Sequence, residues 1–469
     1  MDFTELESHL KKYSQEHLLR FWNDLDATER NAFAAELGAI DFASLTELIG
    51  EYVAKQPENA LPSPLAPAPY FPLKPADAAM EELYCRARAE GKALLARGEV
   101  ACITVAGGQG TRLGFDGPKG SYPIGPVSGK SLFGYFAESI IGNQLRYGKE
   151  IPWYIMTSLI NDSATREFFA ANSYFGLKPE QVFFFTQGTM PAIGYDGKLL
   201  LAGKGALALS PDGHGGTLWA LRKSGALADM EQRGIKYLSY FQVDNPLVPV
   251  VDPLFIGLHA LEGAQVSAIM LAKTGPFEKL GNFCASGGRT YIIEYSDLPD
   301  ELAESRNADG SLRFIAGSPA IHVFSCAFID VLTSQGKPSL PWHRADKKVP
   351  FIDDSGSEVK PAEPNAVKLE SFIFDALPLA EKVMIIEGRR EDVFGPTKNA
   401  TGVDSAESCR ELLVARDLRR LAEAGVDTAA AKLVEISPQV AVDAEGVREY
   451  CRKNNISDLI GRGDKVYLD

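Results

Sequence analysis

The sequence predicts an α/β protein: a mixed, mostly parallel sheet with helices on both faces, a helical region before it and a small α+β region after it. Three observations carry this. Short runs rich in β-branched and aromatic residues alternate with helical stretches from about residue 99 onward, the pattern of parallel strands joined by crossover helices. Residues 1–55 instead space their apolar positions three and four apart, as in Leu10, Tyr13, His17, Leu18 and Phe21, the period of amphipathic helices. A buried-strand run, "ACITVAGG", passes straight into glycines, as loops at the carboxyl edge of a parallel sheet do.

In chain order, a second amphipathic run follows from Ala27, and seven prolines between Pro57 and Pro75 make an extended or semi-rigid connector. Helical character resumes in "AMEELYCRARAEGKALLARG". The strands expected next are "VACITVAG", "IPWYIMTS", "QVFFFTQG", "IKYLSYFQVDN", "VSAIMLAK", "TYIIEYS" and "EKVMIIEGRRED". A long helix is predicted from Asp404 to Ala424, then short strands and turns over the final 45 residues. The boundaries that result are 1–95 for the helical region with its connector at 57–75, 96–390 for the central domain and 391–469 for the C-terminal α+β domain.

Composition narrows the function. The chain has 469 residues, 45% of them hydrophobic, enough for two or three domains with sizeable cores. Its formal net charge is −14, from 48 basic and 62 acidic residues, whereas a nucleic-acid binder normally carries a basic excess. No apolar run approaches the ~20 residues of a membrane span, and the charged start, "MDFTELESHLKKYSQEHLLRFW", has no signal-peptide core. The six cysteines show no CxxC pair and several sit in apolar runs, which fits buried thiols in a reducing compartment. Neither a nucleic-acid nor a membrane partner is expected, and the expected location is the cytoplasm. The oligomeric state is not readable.

The stretch "VAGGQGTRLGFDGPKGSYPI", residues 105–124, holds six glycines. A P-loop would need a lysine and a hydroxyl directly after its second glycine, but here Pro118 precedes Lys119. The dinucleotide fingerprint would need glycine at position 113, which is Leu113, and an acidic residue about twenty positions on. What remains is a loop of exposed amides followed by Arg112 and Lys119. Two cations after a glycine turn suit a triphosphate whose charge must be neutralised during attack at one phosphorus; the bland alternative is a strand-to-helix turn with surface cations.

"GGQGTRLG" followed by "PKG" resembles the signature of the sugar nucleotidyltransferases, and the wording is similar to the UDP-N-acetylhexosamine pyrophosphorylase branch of the UDP-sugar pyrophosphorylases. The likeness continues through "WYIMTS", "FFFTQGTMPAI", "LSPDGHGG", "DMEQRGIKYLSYFQVDNPL", "DPLFIG", "IIEYSDL", "PNAVKLESFIFD" and "REDVFGPTKNA", across most of residues 80–400. It implies a Rossmann-like catalytic domain and a reversible exchange of one phosphoanhydride for another: UTP plus a sugar-1-phosphate gives UDP-sugar plus pyrophosphate, with no covalent intermediate.

By the same resemblance, Gly107, Gly108 and Gly110 hold the uridine and phosphate region, and Arg112 and Lys119 meet the phosphates, with Lys119 the leading transition-state cation. Asp244 ends an apolar strand, where a carboxylate can hold Mg²⁺ between phosphates. Gln187 offers both a donor and an acceptor to a uracil edge, and Gly213 lets a base approach the backbone. Gly281 and Glu294 match residues that contact sugar hydroxyls. Phe372 and Phe374, two apart, would share one strand face and match an N-acetyl pocket. Lys398 matches a lysine that reaches the phosphates from the other side.

Two positions depart from the pattern. His214 stands where N-acetylhexosamine enzymes carry asparagine, as in other UDP-sugar pyrophosphorylases, and Ser318 replaces an asparagine that contacts the sugar. The overall resemblance and the two phenylalanines favour N-acetylglucosamine-1-phosphate as acceptor, and the two departures make glucose-1-phosphate or a broad set of sugar phosphates the alternative. A UDP-sugar-using glycosyltransferase could share the "VDN" motif, but it has no need of a loop that binds pyrophosphate as leaving group. A non-catalytic sensor would not need Arg112, Lys119, Asp244 and Lys398 together.

Overall fold

The computed structural model describes residues 3–55, 61–336, 340–459 and 464–469. The chain forms two compact units, one made of Ser63–Gln187, Thr217–Ser339 and Phe374–Asp469, the other of Met1–Pro62, Gly188–Gly216 and Leu340–Ile373.

The first unit is built on an eleven-stranded mixed sheet. The runs Tyr237–Gln242, Val100–Val105, Trp153–Thr157 and Val182–Thr186 lie side by side and parallel. Each expected strand from "VACITVAG" to "EKVMIIEGRRED" is present. Val100–Val105 and Trp153–Thr157 are buried almost throughout, which is why they read as continuous apolar runs rather than alternating ones. Toward the other edge the pairing is mainly antiparallel: His322–Ser325 joins Tyr237–Gln242 to Val266–Ala272, and Gly281–Ser286 forms a hairpin with Arg289–Ile293. Val383–Glu387 returns parallel to Val266–Ala272.

Helices cover the sheet. Ala78–Arg97 starts at Asp77, whose carboxylate accepts from Met80 N at 2.8 Å, and stops at Gly98 with φ +74°. It lies so close to Pro253–Leu261 that a Cβ on Gly257 would fall 1.7 Å from Ala87 O, and one on Gly91 would fall 1.9 Å from Pro253 O. Of the proline-rich connector, residues 57–60 lie outside the described residues. Its later part is pinned to the sheet: Ala66–Pro67 pairs with Gly281–Ser286, and Phe71 exchanges backbone hydrogen bonds with Ile385 and Glu387.

The C-terminal part adds the helix Ala406–Glu423 and a parallel pair, Leu433–Ile436 with Lys465–Leu468, around a small apolar cluster. The final 45 residues also contain the helix Ala444–Lys453, a correction to the expected strands and turns. Its signals are short: an Asp443 cap and two buried residues one turn apart, Val447 and Cys451. Glu435 is fully buried, and its carboxylate accepts from Val127 N and Ser128 N, both at 2.7 Å, and from the Ser128 hydroxyl at 2.6 Å. It thereby holds the turn that follows the glycine loop.

In the second unit, helices Phe3–Lys12, Ala27–Gly38 and Phe42–Leu48 pack their apolar faces on residues 193–207 and 367–369 in one core. A three-stranded antiparallel sheet, His343–Lys347, Ala366–Glu370 and Ile193–Gly194, underlies it. Among the described residues no helix is long and apolar enough to cross a membrane.

Candidate active site

Parallel pairing brings the carboxyl ends of four strands to one edge, the usual location of ligands in such sheets. There Ala106 N donates to Met156 O, Gln187 N to Thr157 O and Val243 N to Val105 O. The glycine loop leaves the Val100–Val105 strand, makes a 3₁₀ turn at Thr111–Leu113 and closes on itself through Gly110 N to Gly117 O at 2.9 Å and Lys119 N to Gly108 O at 3.0 Å. Two side chains that sequence reasoning missed fix it from outside. The Ser158 hydroxyl donates to Gly107 O at 2.9 Å, and the Asn161 amide donates to Ala106 O at 2.9 Å and Gly108 O at 3.2 Å. The only trace of this in the sequence is an asparagine soon after a strand.

Gln187 lies against the loop, its Oε1 3.2 Å from where a Cβ of Gly107 would be. Lys119 folds back over Gly108 and points at Asp244, with Nζ 3.6 Å from Oδ2; their side chains are 16% and 10% exposed. This ammonium–carboxylate pair is the centre of the site. Asp244 is tied to the segment ahead of Lys398: Thr397 N donates to Asp244 O at 2.8 Å, and Asn245 bridges Val393 O and Gly395 N. Lys398 N donates to Asp404 O at 2.7 Å. Burial pushes the Asp404 carboxyl above its ordinary range, with Lys398 opposing and Asp244 reinforcing the shift. The charges of Lys119, Asp244, Lys398 and Asp404 therefore belong to one neighbourhood. Arg112, by contrast, is exposed on its 3₁₀ turn and bonds to no described residue.

Three expected sugar residues also come together in this unit. Gly281 is paired with Ser318 across the sheet, and a Cβ on Gly281 would lie 3.9 Å from Glu294 Oε1. Beside them is Lys273, another residue not singled out from sequence. It is buried, hydrogen-bonded to the Asn282 side-chain oxygen, and its pKa is held below the usual lysine range by burial.

Gly213, His214 and Phe372 lie in the second unit. Gly213 has φ +84°, and a Cβ there would fall 2.2 Å from Ser371 O. The protein's own backbone thus already requires glycine, for a reason other than the close approach of a base. His214 Nδ1 accepts from Ile373 N at 3.1 Å, and its ring lies 5.4 Å from that of Phe372, which in turn lies 4.6 Å from His343. Burial, with His343 adding to it, pushes the His214 pKa down to about 4, so the imidazole is neutral at pH 7 with Nδ1 as acceptor. The expectation of one strand face for Phe372 and Phe374 is not met. The strand ends at Glu370, and a 3₁₀ helix, Ile373–Leu379, takes over. The fully buried residue of "SFIFD" is Ile373, and both phenylalanines are half-buried.

A glycine loop fixed by side-chain amide and hydroxyl, facing a lysine–aspartate pair at the parallel edge of a mixed sheet, marks an α/β enzyme that handles nucleotide phosphates. Comparison with known proteins makes this specific. Residues 73–453 match the family described as "UTP--glucose-1-phosphate uridylyltransferase", and the chain belongs to that family. It is 36% identical over 477 residues to the "UDP-N-acetylhexosamine pyrophosphorylase-like protein 1" of Homo sapiens, covering 95% of this chain and 94% of that one. It is 37% identical over 409 residues to the "UDP-N-acetylglucosamine pyrophosphorylase" of Saccharomyces cerevisiae, covering 85% and 84%. Its structure is similar to the crystal structure of the uridine diphosphate N-acetylglucosamine pyrophosphorylase from Trypanosoma brucei, with a TM-score of 0.84 and 28% identity over 98% of this chain and 97% of that one. The resemblance drawn from the motifs and the α/β fold class are both borne out.

Proposed function

We propose that this chain joins UTP to N-acetylglucosamine-1-phosphate, giving UDP-N-acetylglucosamine and pyrophosphate. An oxygen of the sugar phosphate attacks the α-phosphorus of UTP while the bond from that phosphorus to the bridging oxygen of the β-phosphate breaks. One phosphoanhydride replaces another, so the reaction runs in both directions. The observation that carries the reading is the Lys119–Asp244 pair at 3.6 Å beside the glycine loop.

In this reading the loop amides around Gly107, Gly108 and Gly110 meet the nucleotide phosphates, and Gln187 pairs with the uracil edge. Lys119 neutralises charge as it moves from the α-phosphorus onto the leaving pyrophosphate, with Lys398 and Arg112 as further cations. Asp244 fits Mg²⁺: the ion takes one or two carboxylates and completes its shell with water and phosphate oxygens rather than a protein cage. Bound there, the ion would supply charge neutralisation across the phosphates. Glu294, Gly281 and Ser318 would take sugar hydroxyls. Gly213, His214, Phe372 and Phe374 carry the base and acetyl roles that the resemblance implies.

The test is pyrophosphate release from UTP and Mg²⁺ with a panel of sugar-1-phosphates. The expected result is a higher kcat/KM with N-acetylglucosamine-1-phosphate than with glucose- or galactose-1-phosphate. A preference for glucose-1-phosphate would overturn the choice of sugar and single out Ser318. No release with any sugar would overturn the reaction.

A further inference from the structure

On the uridylyl-transfer reading, Lys119 and Lys398 neutralise phosphate charge together, so the rate depends on the distance between the two stretches of chain that carry them. Lys398 opens a short loop that closes on itself. Lys398 N and Asn399 N both donate to Asp404 O, at 2.7 and 3.0 Å, and the Asn399 side-chain amide donates to Val403 O at 2.8 Å. The helix Ala406–Glu423 starts directly after this loop, capped by Ser405, whose hydroxyl accepts from Ser408 N at 3.2 Å. The Lys398 loop and the start of the helix are therefore one piece.

Lys119 belongs to a second such piece. Its 3₁₀ turn, Lys119–Ser121, is pressed onto the helix Leu132–Tyr147, where a Cβ on Gly120 would fall 2.2 Å from the Phe133 ring. Tyr122 N donates to Lys119 O at 3.0 Å, and Leu132 N donates to Tyr122 O at 3.1 Å. Pro123 follows at once, and its carbonyl oxygen accepts from the Arg410 guanidinium at 2.8 Å. Arg410 lies in the second turn of the helix that the Lys398 loop leads into. This bond therefore runs from one cation-bearing piece to the other.

Water reaches both ends of the bond, since Pro123 is exposed and Arg410 half-buried. Water can satisfy the same carbonyl once the guanidinium is removed, so the bond contributes little to folding. What water cannot supply is a fixed distance. We propose that Arg410 is a positioning residue for uridylyl transfer, holding the Lys119 turn and the Lys398 loop at the separation the phosphates need. It acts through Pro123 O rather than on the phosphates. The bond is single, not the two-pronged kind that only a guanidinium makes, so another cationic donor that reaches the carbonyl can replace it.

Steady-state pyrophosphate release, with calorimetric binding of UDP-N-acetylglucosamine, tests this on the wild-type chain and its variants. Arg410→Met should lower kcat by about tenfold or more, with KM for UTP and Kd for UDP-N-acetylglucosamine within about threefold of wild type. Its denaturant midpoint should barely move. Arg410→Lys should bring kcat back to within about threefold of wild type. Arg146→Met is the structural comparison, because Arg146 holds Asp443 and Glu445, each at 2.6 Å, at the opposite end of the helix Leu132–Tyr147 from the Lys119 turn. It should lower the denaturant midpoint and leave kcat unchanged. If the wild-type chain is active, three results overturn the positioning role: an unchanged kcat in Arg410→Met, a loss that Arg410→Lys does not recover, or an equal loss in Arg146→Met. A wild-type chain that releases no pyrophosphate overturns the reaction itself, and the positioning role with it.

Discussion

In the proposed reaction, the value of the Lys119–Asp244 pair lies in charge that develops only during the transfer. A cation held in place by a carboxylate and by its own loop needs no reorganisation when the leaving pyrophosphate develops charge. Lys119→Ala should therefore lower kcat by ~10²–10³-fold, while the Kd for UDP-N-acetylglucosamine, read by calorimetry, changes only a few-fold. A loss of binding as large as the loss of rate would mean that the lysine serves the ground state. Gly213 is the opposite kind of residue, required by the fold. With φ +84° and Ser371 O in the place a Cβ would take, Gly213→Ala should cost about 1–3 kcal/mol. A lowered denaturant midpoint is the check.

Histidine 259 shows how burial alone sets a pH response. The Ser325 hydroxyl donates to Ala264 O at 2.9 Å, so it must accept from His259 Nε2–H, while Nδ1 accepts from the Ser267 hydroxyl at 2.7 Å. Both ring nitrogens are satisfied in the neutral form, and burial pushes the pKa down to about 3 from the ordinary 6.5. The unfolded chain then binds the extra proton more readily than the folded one. Stability from this group is complete above pH 6.5 and is lost as pH falls from there toward 3. Denaturant midpoints between pH 7 and 4 should fall less steeply in His259→Gln than in the wild-type chain.

At the scale of elements, the glycine loop behaves as a part clamped by its neighbours. Asn161 reaches it from the turn after Trp153–Thr157, so Asn161→Ala should leave the chemistry intact and loosen the cradle. We expect KM for UTP to rise about tenfold, with kcat changing less, in steady-state kinetics. The strands of the sheet were legible because buried parallel strands have no polar face to confuse the pattern. Ala444–Lys453 was not, because ten residues with a single buried stripe look much like a turn region. The period-two spacing of Phe372 and Phe374 misled for a related reason. It fits a strand, but Ser371 is tied by its N to Asp212 O and by its O to Gly215 N, and the chain turns there into a 3₁₀ helix. The candidate site was legible where chemistry is local, as in Lys119 and Asp244. The supporting Ser158, Asn161, Asn245 and Lys273 were not, because their partners are set by the fold.

For the whole molecule, three separated stretches of chain share the smaller unit and three share the larger. Such an arrangement leaves no compositional seam between 96 and 390, since the stretches around residues 188–216 and 340–373 read like any other loop-rich part of an α/β domain. Contacts of this kind close long loops, which slows folding more than it weakens the fold. The brace beneath the glycine loop is an example: Glu435 and the Val127 amide it accepts from are 308 positions apart. On a ribosome adding 5–20 residues per second, about 15–60 s separate the synthesis of the two. The turn after the loop is thus made early and waits for a carboxylate made late, while Ser158 and Asn161, which hold the loop itself, follow it within about fifty residues. A nascent chain can complete this brace only after residue 435 has left the ribosome.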